Sequence, residues 1–238
     1  MHRHLTRMAL AMALSAGFAM GVGAQEVEVP PQLQGLADSE AKARATFLEE
    51  RLDAGQRNAQ VWQYGWTGIF GAGTLIGAVE ALRADDSDSR VYNIVGAVKS
   101  AAGVASMVSD PLPARLGADP MRVVPDDTPH GRLQRVALGE RQLITNAARA
   151  DTRYSWQRHL EGVTTNLIGG GVIYALGDSR DALISTLTGI AWGEAQIWTQ
   201  PWRANADLAD YRHAFPSTIA FQWELRPTIN GAELAFRW

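Results

Sequence analysis

Three histidines follow the first 24 residues, His130, His159 and His213, and the chain has no cysteine. Thiol catalysis and cysteine-ligated zinc are therefore excluded. The histidines form no HExxH pair, no G-x-S-x-G elbow is present, and the glycines between Phe70 and Gly77 lack the Lys-Ser/Thr ending of a phosphate loop. Asp85, Asp86 and Asp88 carry charge enough to attract a cation but lack the spaced oxygens and central glycine of a calcium loop, so they read as a solvated helix turn. The arrangement best suited to acid–base chemistry is His159 with Glu161, beside Trp156. Side chains two apart on a helix diverge, which favours an ordinary histidine over a catalytic one. No catalytic residue, metal or cofactor is assigned.

Glu80, Lys99 and Glu194 interrupt apolar runs and are the candidate buried charges. If those runs enter a bilayer, Lys99 is expected to pair with Glu80 or Glu194, because a central charge costs about 2.5–3.5 kcal/mol. In water the same residues are rim charges or one structural ion pair. Trp62, Trp66, Trp156, Trp192 and Trp198 cluster near the ends of apolar segments. Tryptophan joins an apolar body to one N–H donor, so these residues suit an interface, a headgroup layer or a pocket rim, or else fill a core. Two Asp-Ser-Arg turns, 88–90 and 178–180, offer either an anion site at Arg90 and Arg180 or helix caps at Asp88 and Asp178, and capping is the simpler reading.

The elements that carry these residues repeat. At an offset of 94, Trp62 meets Trp156, Gly77 meets Gly171 and Ala81-Leu82 meets Ala175-Leu176; at 90, the two Asp-Ser-Arg turns coincide and Pro111 meets Pro201. The series Ala41, Ala45, Leu48, Leu52, Gly55, Ala59, Trp62, Trp66, Ile69, Gly73 and Ile76 mixes spacings of four and three, which predicts one helix from about Asp38 to Leu82, weakest at Gly55. A second helix is expected over 90–109, ended by Pro111 and Pro113. Thr128-Pro129 opens a third that runs to Leu176, with a kink near Ala150 where the apolar phase slips and a left-handed exit at Gly177. A fourth covers 181–200.

Gly73, Gly77, Gly171, Gly189 and Gly193 fall inside these helices, where glycine costs stability, so they are expected to let backbones approach. The fold class that follows is mainly α: a duplicated helical hairpin forming a pseudo-twofold four-helix bundle with long first helices, plus a C-terminal β-hairpin. Alternation at Ile219, Phe221, Trp223 and Leu225, and again at Leu234, Phe236 and Trp238, around Asn230-Gly231, predicts that hairpin. Its last residues resemble the closing strand of outer-membrane β-barrels, but the body of the chain lacks the repeated strands. The expected organisation is a signal peptide at 1–24, a linker at 25–37, the first hairpin at 38–109, a linker at 110–127, the second hairpin at 128–204 and the C-terminal segment at 205–238.

The signal peptide is read from Arg3 and Arg7, the uncharged stretch 8–23 and the small residues Val22-Gly23-Ala24. Its cleavage leaves 20 basic against 25 acidic residues with no basic cluster, which argues against nucleic-acid binding. Val61–Val79 has no charge over 19 residues, yet Lys99, Glu194 and the run of Thr164, Thr165 and Asn166 lower hydrophobicity elsewhere. Composition therefore favours a soluble or peripheral bundle over an inserted one. The expectation is a non-enzymatic exported envelope protein, periplasmic, acting on an unknown protein partner, a second copy or a membrane surface. A small integral-membrane bundle, transport-related, is the alternative, and an enzyme using His159 with nearby acids is the third.

Overall fold

The computed structural model describes residues 28–153 and 155–216, and the backbone alone of 222–228 and 231–237. The expected signal sequence lies outside the described residues. The chain is mainly helical: α1 (Asp38–Arg83), α2 (Ser87–Ser109), a 3-10 turn (Pro113–Leu116), α3 (Asp119–Arg122), α4 (Pro129–Thr152), α5 (Trp156–Leu176), α6 (Ser179–Thr199) and α7 (Arg203–Ala214). Two C-terminal backbone segments, Gln222–Thr228 and Gly231–Arg237, pair antiparallel. Their side chains, residues 229–230 and the chain leading into them lie outside the described residues.

Helix ends follow capping chemistry. α2 starts one residue after Asp86, whose carboxylate accepts from the Ser89 amide and hydroxyl, each at 2.7 Å. This corrects the expected cap at Asp88, which lies inside the first turn because the helix begins at Ser87. Thr128 caps α4 by accepting from Gly131 N–H at 3.0 Å, and Asp178 caps α6 by accepting from the amides of Arg180 and Asp181. The third long helix is two: α4 ends at Thr152 with Arg153 still in helical φ/ψ, and α5 begins at Trp156 after an extended Ser155, near where the apolar phase slips. Gly177 exits α5 in an extended conformation, φ −147°, and not in the left-handed one expected.

The 46-residue α1 is long enough, at 1.5 Å per residue, to run through two different environments. Its first half packs with α4 and α7 in a base whose core includes Leu48, Leu52, Met121, Val136, Leu143 and Tyr211. A second cluster, Ala59, Trp62, Trp66, Met107 and Leu112, closes the top of that base. Gln63 fastens it: its amide donates to Met107 O at 2.7 Å and its carbonyl accepts from Leu112 N–H at 2.8 Å. Beyond Trp66 the distal half of α1 packs on α2, α5 packs on α6, and α2 packs on α5. Among the described residues the buried apolar side chains in this distal part are Ala81, Ile173 and Ala182.

Glycine sets these contacts, though not always the glycine expected. A Cβ on Gly77 would stand 3.0 Å from both Ala97 N and Asn93 O, and one on Gly73 would stand 2.7 Å from Ser100 Oγ. Gly171 and Gly193 meet nothing within 4 Å and do not serve packing; Gly169 and Gly170 hold that role on α5, against Lys99 and Thr186. The repeat therefore aligns Gly77 with a glycine that faces open space.

Candidate functional site

A half-open cavity of about 790 Å³ lies between the hairpin of α1 and α2 and the hairpin of α5 and α6. Its walls include Ile69, Phe70, Ile76, Met107, Trp192 and Ile197. Trp62 and Trp66 tie α1 to α6 at the base end: Trp62 Nε1–H donates to Gln196 O at 3.2 Å, Trp66 Nε1–H to Thr199 Oγ1 at 3.1 Å, and the Trp66 ring meets Trp192 edge-on at 5.9 Å.

Lys99 reaches into the middle of this space from α2. Its ammonium donates to Ser185 O at 3.2 Å and Ser185 Oγ at 3.3 Å, and among the described residues no carboxylate lies within ion-pair distance. The expected partners are elsewhere. Glu80 is exposed and sits 3.7 Å from Arg83, so it is not a buried charge. Glu194 accepts from Trp198 Nε1–H at 3.1 Å and meets His159 Nδ1 at 2.9 Å.

Beside Lys99, Asn166 is 6% exposed; its amide N–H donates to Gly162 O at 2.8 Å while its carbonyl oxygen has no partner among the described residues. Gly189 makes room for both groups, since a Cβ there would collide with Asn166 Oδ1 and stand 2.7 Å from Lys99 Nζ. At the base of the cavity three guanidinium groups gather. Arg149 pairs with Asp110 at 3.0 Å, Arg158 lies 3.5 Å from Asp110 and 3.3 Å from Glu161, and Arg153 reaches Trp198 O at 3.5 Å. Among the described residues Arg149 and Arg158 are ion-paired in this way, whereas Lys99 meets no carboxylate.

His159 is joined to Glu194 and not to Glu161, which pairs with Arg158. Neither His159 nor Glu194 lines the cavity. Among the described residues no three His, Asp or Glu side chains come together as a metal ligand set. Of the aromatic candidates, Trp62 and Trp66 are buried, while Trp156, Trp192 and Trp198 are more than half exposed, as is Trp202.

Reading the sequence for chemistry missed Asn166, Ser185 and the arginines of the cavity base. Asn166 stood out only as an amide in an uncharged run, and the arginines converge from different helices, so no spacing signals them. Comparison with protein-family models, curated proteins and solved structures finds no match to this chain.

Proposed function

We propose that this is a non-enzymatic exported envelope protein that inserts two helical hairpins into a bilayer and keeps its base in water. The observation that carries this reading is the outward face of the distal helices. Val61, Leu75 and Val79 on α1, Ile94 and Val98 on α2, Leu167 and Val172 on α5, and Leu183 and Leu187 on α6 are all exposed. No ionised side chain interrupts α1 between Val61 and Val79, and 19 residues span about 28 Å, close to the ~30 Å hydrocarbon core. By length and composition α2 can cross a membrane, and only 6% of its most apolar window is buried within the protein. Exposed large apolar side chains in this number are rare on a soluble monomer and mark a surface that meets a membrane or another protein.

Three further features support insertion. The Lys99 charge, which argues against spanning when read as composition, faces Ser185 across the helices and not the exterior, as intramembrane charges do. Thr67, Thr74, Thr186, Thr188 and Thr199 each donate to the carbonyl four residues back, so these hydroxyls need no water. Trp156, Trp192, Trp198 and Trp202 are exposed where the apolar belt meets the base, the level at which tryptophan enriches at membrane interfaces. In this reading the two hairpins form a pseudo-twofold four-helix bundle.

Membrane fractionation with an alkaline wash tests the proposal. The protein is expected to stay in the membrane pellet, and Leu75→Arg, which places a charge on the outward face at a cost of about 2.5–3.5 kcal/mol, is expected to shift it toward the wash. Asp127→Arg in the base serves as the control and is expected to change nothing. Complete recovery in the soluble fraction as a defined oligomer assigns the apolar face to a second copy or another protein and ends the insertion reading.

A further inference from the structure

We propose that the cavity between the hairpins binds a single-chain amphiphile whose head is a carboxylate next to a hydroxyl donor, a β-hydroxy long-chain acid in chemical class. The inference does not rest on membrane insertion, because the cavity is formed by the hairpins themselves. Lys99 supplies the anion site: among the described residues its N–H groups reach only Ser185 and no carboxylate neutralises it. One ammonium flanked by neutral Ser185 and Asn166 matches a monoanion; a phosphate dianion calls for more than one cation at the same point.

Asn166 specifies the second group. Its carbonyl oxygen is buried without a donor, and exchanging its oxygen and nitrogen would set that oxygen against Gly162 O, so the orientation is fixed by the bond already made. A hydroxyl beside the carboxylate satisfies it while the carboxylate meets Lys99. Gly189 lets Asn166 Oδ1 and Lys99 Nζ stand close together at the cavity wall, so one headgroup can reach both. The walls at Phe70, Ile76, Met107 and Trp192 are apolar, which suits a hydrocarbon chain, and the volume falls within the range of small-molecule sites.

Native mass spectrometry of the purified full-length protein, titrated with three probes of one chain length, tests this: the β-hydroxy acid, the unsubstituted acid and its methyl ester. The β-hydroxy acid is expected to bind most tightly, the plain acid about fivefold more weakly for the lost hydrogen bond, and the ester at least tenfold more weakly for the lost charge. Lys99→Met is expected to bring both acids down to the ester while leaving the ester unchanged, and Asn166→Leu to equalise the two acids while keeping both above the ester. Replacing a buried charge with an apolar side chain of similar length is compatible with folding. Equal binding of acids and ester to the unsubstituted protein overturns the proposal whether or not a variant folds, as does an acid preference that survives in Lys99→Met. Equal binding of the two acids overturns the role of Asn166.

Discussion

At the scale of residues, the base is held by charge placed where no spacing rule points. Arg44 is fully buried; it donates to Glu40 at 2.6 Å and to Tyr211 OH at 3.4 Å, and it stands 3.6 Å from Glu140. Tyr211 OH in turn donates to Glu140 Oε1 at 2.6 Å. Burial raises the Glu140 carboxyl above its ordinary value, against the opposing pull of Tyr211 and Arg44, and burial with Glu140 beside it raises the Tyr211 phenol strongly. Tyr211→Phe leaves Glu140 short of a donor and is expected to cost about 1–3 kcal/mol, read as faster hydrogen exchange across α4 and α7. The sign for Glu140 follows from its raised folded value: its contribution to stability is full below the unfolded value and is lost as pH rises through the folded one. Asp53 runs the other way. Burial raises its carboxyl, but Arg122 and the Ala118 N–H, at 3.0 Å, together outweigh burial and lower it. Its contribution is present above the unfolded value and lost as pH falls through the folded one, so the protection factor of the Ala118 amide, the intrinsic exchange rate at the same pH divided by the observed one, is expected to fall on acidification. Asp53→Asn is expected to remove that dependence. Arg44 and Tyr211 are separated by 167 residues, so this network was illegible from sequence, where Arg44 reads as one more charge on an amphipathic face.

At the scale of elements, the sequence was far more legible. Mixed spacings of three and four placed α1, α2, α5 and α6 within a few residues, because helix periodicity and proline stops are local properties. α7 was missed because its buried face rests on few apolar residues, Leu208 and Tyr211, in a stretch otherwise polar. Glycine shows where local reading ends. A glycine's helix cost is readable, but what its missing side chain admits depends on another helix. Gly55 faces open space and Gly77 faces the backbone of α2 at 3.0 Å. Gly55→Ala is accordingly expected to stabilise the protein by about 0.5–1 kcal/mol through helix propensity. Gly77→Ala must push α1 from α2 and is expected to destabilise by about 1–3 kcal/mol despite the same propensity gain. Thermal unfolding of the two variants side by side reads the opposite signs; a stabilised Gly77→Ala would show that the close approach of α1 and α2 is not required.

At the scale of the whole molecule, the apolar runs were visible in the sequence but their solvent was not, because composition cannot say which way Lys99 points. A continuous α1 that passes from a charged base into an apolar belt fixes a topology that can be tested directly. α1 and α5 lead away from the base and α2 and α6 return to it, which puts the turns after α1 and α5 at one end and residues 110–153 and α7 at the other. An inserted protein of this shape exposes Asp85 and Arg180 on one side of the membrane and Asp127 on the other; with an N-terminal export signal, the base is the exported side. The chain has no cysteine, so single substitutions report without background. In spheroplasts, a membrane-impermeant maleimide is expected to label Asp127→Cys, and to label Asp85→Cys and Arg180→Cys only after the membrane is opened. Labelling of all three from the outside places the belt on the membrane surface or against a partner, since a hairpin tip 28 Å of hydrocarbon away is out of an impermeant reagent's reach.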